Sequence, residues 1–169
     1  MEEEIINKVT NSGIITINLE DYYHPGERII YDLKQNLFQE LILKEKEFRE
    51  FIKTFDWSIY KYKNVAITCS VDAIIPEWAY MLLISKLQPI ANCVIVGNLK
   101  ELENVLFQQE IKKINLDQFK NAKVVIKGCG KKPIPHFAFA EITKILLPYV
   151  FSLMYGEPCS TVPVYKNTK

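Results

Sequence analysis

No CxxC pair, no GxGxxG and no P-loop occurs in this 169-residue chain. The short motifs that announce a redox dithiol, a dinucleotide or a nucleotide phosphate are therefore missing. Charge of one sign is lacking too: 21 Lys and Arg stand against 20 Asp and Glu, a net of +1. That balance excludes broad electrostatic binding to nucleic acid or to an anionic membrane. Long hydrophobic runs are absent. The longest uncharged apolar stretch, Trp78 to Ile84, is far short of the roughly 20 residues that span a bilayer. The first residues, Met1-Glu2-Glu3-Glu4, are acidic, whereas a secretory leader begins basic and continues apolar. The expectation is a cytoplasmic protein whose thiols stay reduced, so that its cysteines are buried, metal-binding or catalytic rather than disulfide-bonded. No linker or low-complexity tract divides the chain.

What is present is ordinary globular material, 49% apolar and 24% charged, enough for one sizeable core. The expected organisation is a single domain over residues 1–169. Residues 1–62 form its N-terminal hairpin and helix part, and βαβ units occupy residues 63–98 and 122–157. A shift of 59 positions brings Val65 and Ile67 onto Val124 and Ile126, and Ile75-Pro76 onto Ile134-Pro135. The same shift matches Leu87 and Pro89 with Leu146 and Pro148, and Gly97 with Gly156. Each unit reads as a β-branched run, a proline-started helix, a second proline and a run closing on glycine. Leu99 to Ile114 has the spacing of an amphipathic helix returning over the sheet. Further strands are expected over Ile14–Leu19 and Arg28–Leu33, and helices over Glu3–Asn11 and Lys44–Phe55. The fold class is α/β: a mostly parallel sheet from two βαβ units, helices on its faces, plus the N-terminal hairpin and helix.

Three of the four cysteines follow an apolar, β-like run: Cys69 after Val65–Thr68, Cys129 after Val124–Gly128, and Cys159 after Phe151–Gly156. Cys93 lies inside such a run and reads as a small buried hydrophobe. In parallel sheets the strand C-terminal ends share one rim, where open α/β folds bind ligands. If the strands at 65–68 and 123–127 are neighbours, with the strand at 150–155 beside the second, the three thiols meet at a switch point. Helix starts near Pro76 and Pro135 favour thiolate there. Asp72, His136 and Glu157 lie close by in sequence as oxygen and nitrogen ligands. That set suits Zn or Fe. Simple packing of small residues explains the same cysteines with about equal weight. His24, beside Pro25 in a polar turn, reads as a surface residue. The serines next to Cys69 and Cys159 lack a general base, which argues against a serine hydrolase.

Three strings, Gly156-Glu157-Pro158-Cys159-Ser160-Thr161-Val162-Pro163-Val164-Tyr165-Lys166, Cys69 to Leu82, and Val125-Ile126-Lys127-Gly128-Cys129, carry a resemblance. With them the chain, from Ile6 to Lys166, resembles a bacterial domain-of-unknown-function family, DUF2480. The resemblance carries no catalytic residue. It implies an accessory role in iron–sulfur cluster assembly, with that machinery's proteins as partners. Three functions are open: a metal-thiolate protein, a thiol redox or sulfur-transfer enzyme using Cys159 or Cys129, and a non-catalytic, homo-oligomeric binding module. The last rests on nine Tyr, nine Phe and two Trp, which could line a subunit interface or simply fill the core.

Overall fold

The β-branched runs become parallel strands, and they assemble into two sheets. A computed structural model describes residues 13–128 and 130–168. The helix expected over Glu3–Asn11 and the residue Cys129 lie outside the described residues. The chain divides into two compact units. One is split, formed by Met1–His24 with Phe107–Lys169, and the other, Pro25–Leu106, is inserted into it.

The split unit opens with β1 (Ile14–Asn18). The inserted unit then contributes β2 (Arg28–Asp32), β3 (Asn64–Thr68) and β4 (Cys93–Val96), ordered β2-β3-β4 and all parallel. Central β3 is buried at Asn64, Val65, Ala66 and Ile67, which is why its sequence does not alternate. Val65 and Ile67 join a core with Phe48 and Ile52 of α1 (Glu45–Thr54) and with Ala79, Leu83 and Leu87 of α2 (Glu77–Leu87). Ala66 belongs to a second cluster, with Cys93 and with Leu102 and Leu106 of α3 (Leu99–Ile111). Each fully buried Leu or Ile contributes about 1.5–3 kcal/mol by leaving water. On the wet side of α1, Arg49 pairs with Glu45 at 2.8 Å, and Glu50 lies 3.9 Å from Lys53. Much of the aromatic content is consumed here: Tyr31 stacks on Trp57, Phe51 meets Phe55, and Phe48 meets Trp78.

The split unit resumes within α3 and continues through β5 (Lys123–Lys127), α4 (His136–Leu146), β6 (Ser152–Glu157) and β7 (Ser160–Lys166). Its order is β1-β5-β6-β7, with β1, β5 and β6 parallel and β7 antiparallel. Val124, Ile126 and Leu153 face Phe107, Phe119, Ala138, Ile142 and Leu146 in its core.

The two units share a spacing. β3, α2 and β4 start at 64, 77 and 93, and β5, α4 and β6 at 123, 136 and 152, each 59 later. Register agrees as well: Asn64 faces Cys93, and Lys123 faces Ser152. Two expectations about pairing change. β1 and β2 are both present where strands were expected, but they do not pair with each other as a hairpin. β1 runs parallel to β5 and β2 parallel to β3. Each strand ends in a 3-10 turn capped by its own last residue. Asn18 Oδ1 accepts the Glu20 N–H at 3.2 Å and Asp32 Oδ1 accepts the Lys34 N–H at 3.0 Å, so the chain leaves the strand instead of doubling back. The strands at 65–68 and 123–127 are likewise not neighbours. With β2 and β1 as second partners, β3 and β5 each occupy a central position in a separate sheet.

Candidate functional site

The C-terminal rim of the split unit's sheet carries a cavity. β5 runs out into Gly128, and the chain re-enters regular structure at α4, whose N-cap Pro135 offers no side-chain hydrogen bond. β6 ends at Glu157, and Pro158-Cys159 links it to β7. Between these ends lies a cavity of about 540 Å³. Ile126 and Gly128 at the end of β5 line it, with Leu153, Met154 and Tyr155 of β6. Val164 of β7 also lines it, as do His136, Phe139 and Thr143, at helical spacing on α4.

Two lining residues, Gly128 and Thr143, are smaller than the residues 59 positions lower. A Cβ built on Gly128 would stand 2.9 Å from Cζ of Phe139 and 3.5 Å from Leu19 Cβ, so any other residue there would displace the ring. Thr143 is the second. Its hydroxyl donates to the Phe139 carbonyl at 2.7 Å, a back-bond to the preceding turn that leaves the oxygen only its acceptor capacity. Phe139 and Tyr155 meet edge to face, centroids 5.8 Å apart at 78°, one of the preferred aromatic geometries. Among the described residues, no lysine, arginine or acid lines the cavity. Of the charges that flank the lining in sequence, Lys127 pairs with Glu157 at 3.3 Å and Lys144 with Glu141. The loop entering α4 is tied back by Lys132, whose Nζ donates to the Glu20 carbonyl at 3.1 Å and whose N–H reaches the Glu20 carboxylate at 3.3 Å.

At positions 59 lower, the inserted unit has Cys69 where Gly128 stands and Ile84 where Thr143 stands. Both are packed against that unit's core. The Cys69 thiol donates to the Val71 carbonyl at 3.4 Å. Burial raises the Tyr80 phenol above its ordinary pKa, and the neighbouring Cys69 adds to the shift.

Of the six residues singled out from sequence, Cys129 lies outside the described residues and the other five are distributed. Cys69 and Asp72 belong to the inserted unit, and Cys159, His136 and Glu157 to the split unit. Cys69 follows β3 and Cys159 sits in the β6–β7 turn, both just past strand ends as expected, but the strands belong to different sheets. Cys159 and His136 are exposed, and Asp72 lines a separate groove of about 410 Å³ with Leu41–Leu43. Among the described residues, no three His, Cys, Asp or Glu are grouped so as to hold a metal ion. Cys93 is buried in β4. Phe139, Thr143 and Tyr155 were not legible as lining residues of a cavity. The signal was the contrast between Gly128 and Cys69, and between Thr143 and Ile84, at the offset of 59.

Among the described residues no helix is long and apolar enough to cross a membrane. The model of the family described as "Protein of unknown function (DUF2480)" matches residues 3–167, and the chain belongs to that family. No curated protein and no solved structure matches it.

Proposed function

We propose that this DUF2480 protein is a binding protein for a small organic molecule, held in the cavity at the rim of the split unit's sheet. The observation that carries this is a cavity of about 540 Å³, within the range of small-molecule sites, at the strand ends where α/β folds bind ligands. The two units read as copies of one β-α-β design. In one copy a glycine and a threonine open the space, and in the other a cysteine and an isoleucine occupy the matching positions. Among the described lining residues no nucleophile stands beside a base, so binding accounts for the site without a reaction.

The test is a fluorescence titration with the neutral, environment-sensitive probe 1-N-phenylnaphthylamine, on the wild type and on Gly128→Val. The wild type should bind it at micromolar concentration, and the variant, folded by circular dichroism, at least tenfold more weakly. Equal binding by both, or none by the wild type, overturns the proposal.

A second reading keeps thiol chemistry in the split unit. Cys129, Cys159, His136 and Glu157 all belong to it, and Zn or Fe on these residues would suit a role beside iron–sulfur cluster assembly. Thiolate and imidazole donors fit both metals. Stoichiometric metal in protein purified without chelators, lost in Cys159→Ser, supports this reading. Metal-free protein that binds the probe refutes it.

A further inference from the structure

The same cavity restricts the chemistry of its occupant. We infer that the ligand is an uncharged, two-ring aromatic molecule carrying a hydrogen-bond donor, of the phenol or indole type, an inference that rests on the binding function proposed for the cavity.

Charge is excluded first. Among the described residues, the lining carries no lysine, arginine, aspartate or glutamate, and Lys127 and Glu157 already neutralise one another at 3.3 Å. A carboxylate or phosphate entering among Ile126, Ile134, Leu153 and Val164 would lose its hydration without a countercharge, a cost of several kcal/mol. Only at the exposed His136 could such a group find an imidazole.

The walls favour rings. Phe139 and Tyr155 already stand edge to face at 5.8 Å. A planar body beside them adds a further stacked or edge contact, worth about 0.5–1.5 kcal/mol beyond the area it buries.

The polar groups set the donor and the length. Thr143 Oγ1 has committed its proton to the Phe139 carbonyl at 2.7 Å, so toward a ligand it acts only as an acceptor. It calls for an O–H or N–H on the ligand. His136 lies seven residues earlier on α4, about 10 Å along the axis at 1.5 Å per residue. A two-ring body fits the stretch between them, with its hydroxyl or N–H at the Thr143 end.

The experiment is displacement of 1-N-phenylnaphthylamine by 2-naphthol, naphthalene, 2-naphthoate and decanoate. The proteins are the wild type, Thr143→Val and Thr143→Ser, their folding checked by thermal melting. 2-Naphthol should displace the probe about five- to tenfold better than naphthalene, the factor expected for one hydrogen bond. That advantage should vanish in Thr143→Val and persist in Thr143→Ser, and the two anions should compete poorly. If the probe binds and is lost in Gly128→Val, yet 2-naphthol shows no advantage or decanoate competes best, the ligand class is wrong while the cavity stands. If the probe does not bind, or binds Gly128→Val equally, the binding function itself fails and this inference with it.

Discussion

Replacing Glu103 with alanine should unfold the inserted unit more easily, by about 2 kcal/mol. Arg28, the first residue of β2, meets Glu103 of α3 through two parallel bonds, Nε to Oε2 at 2.9 Å and Nη2 to Oε1 at 2.8 Å. Arg28 Nη1 also donates to the Gly26 carbonyl at 2.5 Å. The side chains are 14% and 19% exposed, neither open to water nor sealed from it. Exposed pairs are worth about 0–1 kcal/mol, and removing one partner of a buried pair costs about 3–5 kcal/mol. Partial exposure places the loss between these, at about 2 kcal/mol, because the guanidinium keeps its burial and loses the carboxylate that fits its fork. With urea slopes of about 1–3 kcal/mol per molar, the midpoint should fall by about 0.7–2 M. Tryptophan fluorescence is the assay, since both tryptophans, Trp57 and Trp78, lie in the inserted unit. The paired replacement Arg28→Met with Glu103→Leu removes both charges and should recover at least half the loss. A loss below about 0.5 kcal/mol for Glu103→Ala would show a surface-like pair and refute the reasoning. So would a double variant no more stable than the single.

Three further outcomes are expected. Gly156→Ala should loosen the β6–β7 hairpin, since φ is +122° there and a Cβ would stand 2.6 Å from the Ser160 carbonyl oxygen; the loss is about 1–3 kcal/mol, read as faster amide exchange along β6 and β7. Burial works to raise the Asp32 carboxyl, but bonds from the Ser70 side chain and from the Lys34 and Ser70 backbone outweigh it and hold it below the ordinary Asp value. A lowered pKa stabilises above the unfolded value and is lost as pH falls through the folded one; Asp32→Asn should therefore be less stable at pH 7, with the gap closing below about pH 4, and an undiminished gap in urea midpoints at pH 3 would refute this. Tyr62, 74% exposed, takes φ +62°, where Asn121 takes +55° at the offset of 59. Tyr62→Asn should raise stability by about 0.5–1 kcal/mol, since asparagine tolerates this region better; an unchanged or lower urea midpoint counts against it.

Much of the fold was legible because local pattern and tertiary role agree. Val65–Thr68 and Val124–Lys127 read as buried parallel strands and are so, and Phe48 and Ile52 are the buried face of α1. Pairing was not legible. Nothing in Ile14–Asn18 says that its partner is β5 and not β2, because a parallel edge strand and a hairpin strand share the same alternation. β7 was hidden for a related reason: Pro163 interrupts a short, mostly exposed run, as suits an edge strand. The rim residues Cys69 and Cys159 were placed correctly just beyond strands, but one sheet was assumed where there are two. The cavity depends on residues small by contrast with positions 59 away, and such a contrast emerges only when the two units are laid side by side.

The insertion of one unit into the other has a consequence for the chain as it is made. Arg28 finds its register partner at Asn64, within the inserted unit, whereas Ile14 must wait for Lys123. A ribosome delivering about 5–20 residues per second thus completes the inserted unit while β1 still has no neighbouring strand. An early strand is thus among the last of the described strands to pair. Closing so long a loop costs little in equilibrium stability, because the entropy grows only with the logarithm of length, but it slows folding. For those seconds Ile15 and Ile17 of β1 depend on whatever else in the cell can shelter a bare strand.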